Sequence, residues 1–176
     1  MKTVRRFLLA GFLCSLAGCL SHTAFQGGQL TKSRGPFFSS LYLAEFGELD
    51  LNKNGQYATV FRGFPASAAL LGLELVGRTS SDEESVRRFT SEITMELDTE
   101  DGSHVCEATG KVNETHDVRD HYWVMALSGD SASFWNSDCA WVRIRRDQSY
   151  VLKITVQGAT EVGPLWARPQ LYTSCC

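Results

Sequence analysis

Two histidines and two aspartates lie within six residues of one another, at His116, Asp117, Asp120 and His121. Imidazole nitrogens and carboxylate oxygens bind metal ions when they converge on one point. This spacing matches no metal motif with a known mechanism, and the segment is predicted to be a polar loop that leads into a strand. The sequence also contains no Gly-x-Ser-x-Gly, no Ser-x-x-Lys and no glycine-rich phosphate loop. We therefore expect no metal ion, no cofactor and no catalytic residues.

The amino terminus has the pattern of an export signal. Lys2, Arg5 and Arg6 precede a short apolar run over residues 7–16, which is about half the ~20 residues needed to span a bilayer. The run ends in Leu16-Ala17-Gly18-Cys19. Residues 1–18 are therefore predicted to be a signal peptide.

The four residues Leu16 to Cys19 resemble the lipobox of bacterial lipoproteins in every position. The resemblance implies that Cys19 receives a diacylglycerol, that the chain is cut before it and that its new amino group is acylated. Several acyl chains on one residue give stable membrane anchoring. Leu20 follows where family members retained in the inner membrane carry Asp, so the resemblance implies anchoring in the outer membrane, facing either the periplasm or the cell surface.

Four cysteines remain after Cys14 is removed and Cys19 is acylated. An oxidising compartment favours disulfides, and four cysteines permit three pairings. We favour Cys106–Cys139, because both residues lie in or beside predicted strands. Cys175 and Cys176 are left free, strained together or bridged to another chain, and their pairing stays open.

Aromatic side chains are the best candidates for binding. Phe134 and Trp135 stand in a segment of Gly, Asp, Ser and Asn, and Trp141 falls on the strand face opposite Val142 and Ile144. Exposed aromatic rings stack on sugars and anchor protein interfaces. The alternative is that Trp135 folds back over the end of the domain and serves packing alone.

Most of the chain follows a period of two residues, which is typical of half-buried strands. Tyr150, Leu152, Ile154 and Val156 alternate with mostly polar residues, and shorter runs over 93–98 and 140–145 do the same. Further strands are predicted at 41–51, 56–64, 70–76, 103–112, 121–128 and 166–173. One short helix is predicted over residues 81–88.

About nine strands, joined by turn residues such as those at 99–102, predict an all-β fold, an antiparallel β-sandwich or jelly roll, with an up-and-down barrel as the alternative. Residues 19–35 are predicted to be the lipidated cysteine and a flexible tether. Residues 36–176 are expected to form one domain.

The charge of the processed chain indicates the class of partner. Residues 1–18 hold three of the 17 Lys and Arg residues and none of the 20 Asp and Glu residues, so the mature chain has a net charge of −6. Such a chain is a poor ligand for nucleic acid, whose phosphates bind clustered cations. We expect a non-catalytic envelope protein that binds a protein partner, as an assembly factor or an immunity-type inhibitor. The alternative is a glycan-binding module.

Overall fold

The structure, a computed structural model, describes residues 24–34, 39–77, 83–112, 116–119, 122–124, 139, 142–159 and 163–173. These residues form two antiparallel β-sheets that face each other across one hydrophobic core. The fold is therefore a β-sandwich and not a closed barrel, which confirms the all-β prediction and selects between its alternatives.

The strands of the larger sheet are β1 Gln29–Arg34, β2 Ser40–Glu45, β3 Leu49–Asp50, β5 Ala68–Leu75, β8 His116–Arg119, β9 Tyr122–Val124, β10 Val142–Arg143 and β12 Trp166–Tyr172. Those of the smaller sheet are β4 Gly55–Arg62, β6 Glu92–Thr99, β7 His104–Lys111 and β11 Ser149–Gln157, and the one helix described is α1, Glu83–Val86. The larger sheet has the order β1-β2-β12-β5-β9-β8, with β3 beside β12 and β10 beside β5. The smaller sheet has the order β4-β11-β6-β7.

The core lies between the inner faces of the two sheets. In β11 the residues predicted to face inward, Tyr150 to Val156 in alternation, are all buried. Leu71, Leu73 and Leu75 of β5 face them from the larger sheet and belong to the same cluster. Burial of these apolar side chains, at roughly 25 cal/mol per Å² of area removed from water, supplies the main driving force for the fold.

A disulfide joins the two sheets. Cys106 of β7 and Cys139 are bonded, with their Cα atoms 5.4 Å apart. The Leu71 N–H in β5 donates a hydrogen bond to the Cys139 carbonyl (3.3 Å), which places Cys139 along the larger sheet. The predicted pairing is present, and it links an edge strand of the smaller sheet to the larger sheet.

The described part of the predicted tether is part of the sandwich. Residues 29–34 form β1 and pair with β2 from Gln29–Glu45 to Arg34–Ser40. Just before β1, Gln26 exchanges two backbone hydrogen bonds with Arg62 at the end of β4 (3.0 and 3.2 Å). The flexible-tether prediction is therefore wrong for residues 24–34, because backbone pairing orders a segment whose side chains are mostly exposed.

Within the described residues the other predicted elements agree with the structure, apart from two kinds of difference. Residues 81–82, 121, 125–128 and 140–141 of the predicted elements lie outside the described residues. The predicted strand over 41–51 is two strands, because the chain leaves the sheet at residues 46–48. Two segments that were not predicted as strands, β1 and β8, pair within the larger sheet. Among the residues that the structure describes, no helix is long and apolar enough to cross a membrane.

Candidate functional site

A cluster of charged side chains lies on the outer face of the larger sheet, where three segments of the chain meet. Ala167 and Leu171 of β12 face the core, so Arg168 and Gln170 point to the opposite side. The register of β12 against β5 sets Arg168 opposite Glu74. Glu45 ends β2, and Glu48 follows in the segment that leads to β3. We call Glu45, Glu48, Glu74, Arg168 and Gln170 the Arg168 cluster.

The Arg168 guanidinium binds several carboxylates at once. Its Nη1 donates to Glu45 Oε1 (2.8 Å) and lies 3.8 Å from Glu74 Oε2, and its Nη2 donates to Glu48. Hydrogen bonds to Glu48 and Glu45 raise the pKa of Arg168. Three carboxylates and one guanidinium leave a net charge of −2 when all are ionised. The cluster is therefore an acidic surface organised around one cation.

The Glu74 carboxyl stays in this cluster at a cost to folding. Burial raises its pKa above the ordinary value, Arg168 lowers it by a smaller amount, and the like charges of Glu45 and Glu48 raise it further. Gln170 donates its amide N–H to Glu74 Oε2. Because the folded pKa exceeds the unfolded pKa, ionised Glu74 reduces stability as the pH rises through these two values. Carboxyl groups held at such a cost are concentrated at functional sites.

An exposed tryptophan lies beside the cluster. Trp166 begins β12, two residues before Arg168 on the same face, at a spacing of roughly 7 Å along the strand. It is 45% exposed, whereas most large apolar side chains in the described part of the chain are buried. Trp and Arg are the residue types enriched at the centres of protein interfaces. The arrangement can therefore supply an aromatic anchor next to charged groups.

Two depressions border the segment between β2 and β3. The first, about 380 Å³, is lined by Gly28, Gln29, Glu45, Glu48 and Arg168, and we call it the acidic groove. The second, about 240 Å³, opens between the sheets, and we call it the apolar cleft. Its apolar lining comes from Phe46, Leu49, Tyr57, Leu152, Ile154 and Pro169. Phe46, Gly47 and Glu48 form a wall that both depressions share.

A second charged cluster lies on the outer face of the smaller sheet. Lys153 of β11 donates to Asp98 (2.7 Å) and Glu96 (3.4 Å) of β6, and His104 of β7 contacts Asp98 (3.1 Å). The hydrogen bond from Lys153 lowers the pKa of Asp98. Ligand atoms of Glu96, Asp98 and His104 lie within 4.8 Å of one another, but the Lys153 ammonium already forms ion pairs with both carboxylates. This arrangement is a cross-strand ion-pair network.

Several residues singled out in the sequence lie outside the described residues. They are Cys19, Asp120, His121, Phe134, Trp135, Trp141, Cys175 and Cys176. His116 lies in β8, where the structure describes its backbone and not its side chain. Of the predicted site residues, the structure therefore brings together Cys106 and Cys139.

Sequence reasoning missed the Arg168 cluster. Arg168 and Gln170 are separated from the carboxylates by about a hundred residues along the chain, for example 123 between Arg168 and Glu45 and 96 between Gln170 and Glu74. The one usable signal was a basic residue in a strand, since Arg168 interrupts the apolar pattern of 166–173.

No family model, curated protein or solved structure matches this chain.

Proposed function

We propose that this protein is a bacterial lipoprotein, anchored to the outer membrane through Cys19, that acts by binding a protein partner and not by catalysis. The anchoring rests on the lipobox resemblance of residues 16–19. The binding role rests on one observation, the exposed Trp166 beside the Arg168 cluster on the outer face of the larger sheet.

The composition of this surface favours the binding of a protein partner over catalysis. Arg168 and Gln170 hold the carboxylates of the cluster by hydrogen bonds, which suits a fixed recognition surface. Trp166 provides a large apolar area at small loss of side-chain freedom, as interface anchors do. The negative charge of the cluster and of the processed chain attracts a basic partner and repels nucleic acid.

Replacing Trp166 with alanine is expected to weaken partner binding about 30-fold, the loss typical of a central aromatic anchor. The lipid-anchored protein, purified in detergent, serves as bait for envelope and competitor-cell extracts, and the captured material is identified by mass spectrometry. The affinity of the captured protein is then measured for the parent protein and for the Trp166→Ala variant. Val60→Ala is the matched control, because Val60 is 51% exposed but lies on the smaller sheet. Equal losses in both variants would contradict a binding surface at Trp166.

A captured polysaccharide in place of a protein would favour the alternative, a glycan-binding module. Trp135 is the residue that the sequence predicts for that role, and it lies outside the described residues. Trp135→Ala would then abolish sugar binding while Trp166→Ala left it unchanged. This pair of variants separates the two functions.

Cys19→Ala is expected to abolish anchoring, because only a thiol can form the thioether to diacylglycerol. The variant precursor should stay uncut and lack the mass of the acyl chains, and it should lose the lipid-dependent retention of the processed protein. Mass spectrometry of the intact chain and detergent phase partitioning measure both effects. Normal acylation or normal processing of this variant would refute the lipobox assignment.

A further inference from the structure

The apolar cleft gives direct access to core side chains. Leu152 and Ile154, both nearly fully buried, line it from the smaller sheet, and Phe46 and Pro169 line it from the larger sheet. At about 240 Å³ it is smaller than the roughly 300–1,000 Å³ of typical small-molecule sites. Its size and lining therefore suit one apolar side chain.

The wall of this cleft is negatively charged on its other side. Glu48 is shared by the apolar cleft and the acidic groove, and its side chain is 43% exposed although it binds Arg168. Glu45 lines the groove beside it. Because three carboxylates surround one guanidinium, the cluster is negative overall, so an approaching cation gains energy here, and an anion is repelled.

The two depressions share the wall formed by Phe46, Gly47 and Glu48, so a short segment that crosses this wall can place one side chain in each of them. We propose that the apolar cleft receives an apolar side chain from a basic segment of the protein partner, while Glu48 and Glu45 bind a Lys or Arg next to it. This inference rests on the proposed function and specifies the chemistry of the partner at an edge of the same surface.

The contacts of residues 46–48 explain how the wall keeps its shape. The Phe46 N–H donates to the Pro169 carbonyl (3.0 Å), and the Phe46 ring packs against Phe61 with centroids 5.2 Å apart. These contacts fix the wall between the sheets while Gly47 and Glu48 stay at the surface. The cleft is thus preformed, which reduces the loss of entropy on binding.

Three blocked tripeptides test the occupant, acetyl-Lys-Phe-Lys-amide, acetyl-Lys-Ala-Lys-amide and acetyl-Glu-Phe-Glu-amide. Each is titrated into the ¹⁵N-labelled, lipid-anchored protein in detergent, and amide shifts are followed. The Lys-Phe-Lys peptide should bind with a Kd of about 1 mM or tighter and shift the amides of Gly47, Tyr57 and Leu152. The Lys-Ala-Lys peptide should bind at least tenfold more weakly. The Glu-Phe-Glu peptide should cause no shifts there.

A matched pair of charge variants locates the cation. Glu48→Gln should weaken Lys-Phe-Lys binding about tenfold, because it removes one of two carboxylates available to the ligand. Glu107→Gln makes the same change at an exposed position of β7 and should leave the Kd unchanged. An unperturbed ¹⁵N spectrum away from position 48 establishes that each variant is folded.

The inference is overturned if the Glu-Phe-Glu peptide binds as tightly, if the shifts lie elsewhere, or if Glu48→Gln has no effect. Self-association of the protein that depends on Glu48 would also overturn it, since the occupant would be a second copy. If the peptide titrations fail but a captured protein depends on Trp166 for its binding, the inference about the cleft is refuted and the proposed function is retained. If the Lys-Phe-Lys peptide binds but no protein is captured, the proposed function is refuted, whereas the preference of the cleft for an apolar side chain next to a cation is retained.

Discussion

Removing the disulfide by the double substitution Cys106→Ala, Cys139→Ala is expected to lower the free energy of unfolding by about 3–4 kcal/mol. The bond closes a loop with a sequence separation of 33 residues, and in the chain-entropy model that closure restricts the unfolded chain by this amount. For a chain of this size the loss corresponds to a fall in melting temperature of about 10 °C. Urea denaturation of the oxidised protein and the double variant measures it.

The double variant is preferable to either single one, because a lone thiol at position 106 or 139 is free to pair with Cys175 or Cys176. Both disulfide cysteines are nearly fully buried, so reductant is added under denaturing conditions. Dithiothreitol should lower the stability of the parent protein and leave the stability of the double variant unchanged. The double variant therefore controls for any other effect of the reductant. A parent protein whose midpoint does not move on complete reduction would contradict the argument.

Gly27→Ala is expected to destabilise the protein by about 2–4 kcal/mol, in the range of severe single substitutions. Gly27 has φ +96°, a conformation unfavourable for residues with a Cβ. A Cβ built there would lie 2.0 Å from the Val60 carbonyl oxygen and 2.8 Å from Phe61 Cα. The backbone would have to move, and the adjacent hydrogen bonds between Gln26 and Arg62 would be lost.

Gly77→Ala is the control that separates backbone strain from the clash. Gly77 has φ +70°, but a methyl group added there would meet no described atom within 4 Å, so the loss should be about 1–2 kcal/mol. Thermal and urea denaturation compare the two variants. An unchanged stability of Gly27→Ala would instead support the flexible tether that the sequence predicted for this segment.

Local sequence patterns were sufficient for most strands. The alternation from Tyr150 to Val156 predicted β11 and its buried face, since side chains of a strand point alternately to opposite sides. The turn predicted at residues 99–102 is present, with the Gly102 N–H bonded to the Thr99 carbonyl (2.9 Å). Neither prediction needed knowledge of a distant part of the chain.

β1 could not be found in this way. Its one half-buried apolar residue is Leu30, and the other side chains are exposed, so no alternation marks the strand. What orders it is backbone pairing with β2 and the close approach of Gly27 to β4. Such pairing depends on the position of a partner strand and leaves little trace in composition.

The all-β class, most strand positions, the favoured disulfide and the resemblance of residues 16–19 to a lipobox follow from local patterns in the amino-acid sequence. The contacts of Arg168 with Glu45, Glu48 and Glu74, and the apolar cleft beside them, follow only from the folded arrangement of the strands. The physical reason is that strand propensity and turn chemistry act over a few residues. Strand order and register, which bring residues 45, 74 and 168 onto one face, are set by packing and hydrogen bonding across the whole sheet.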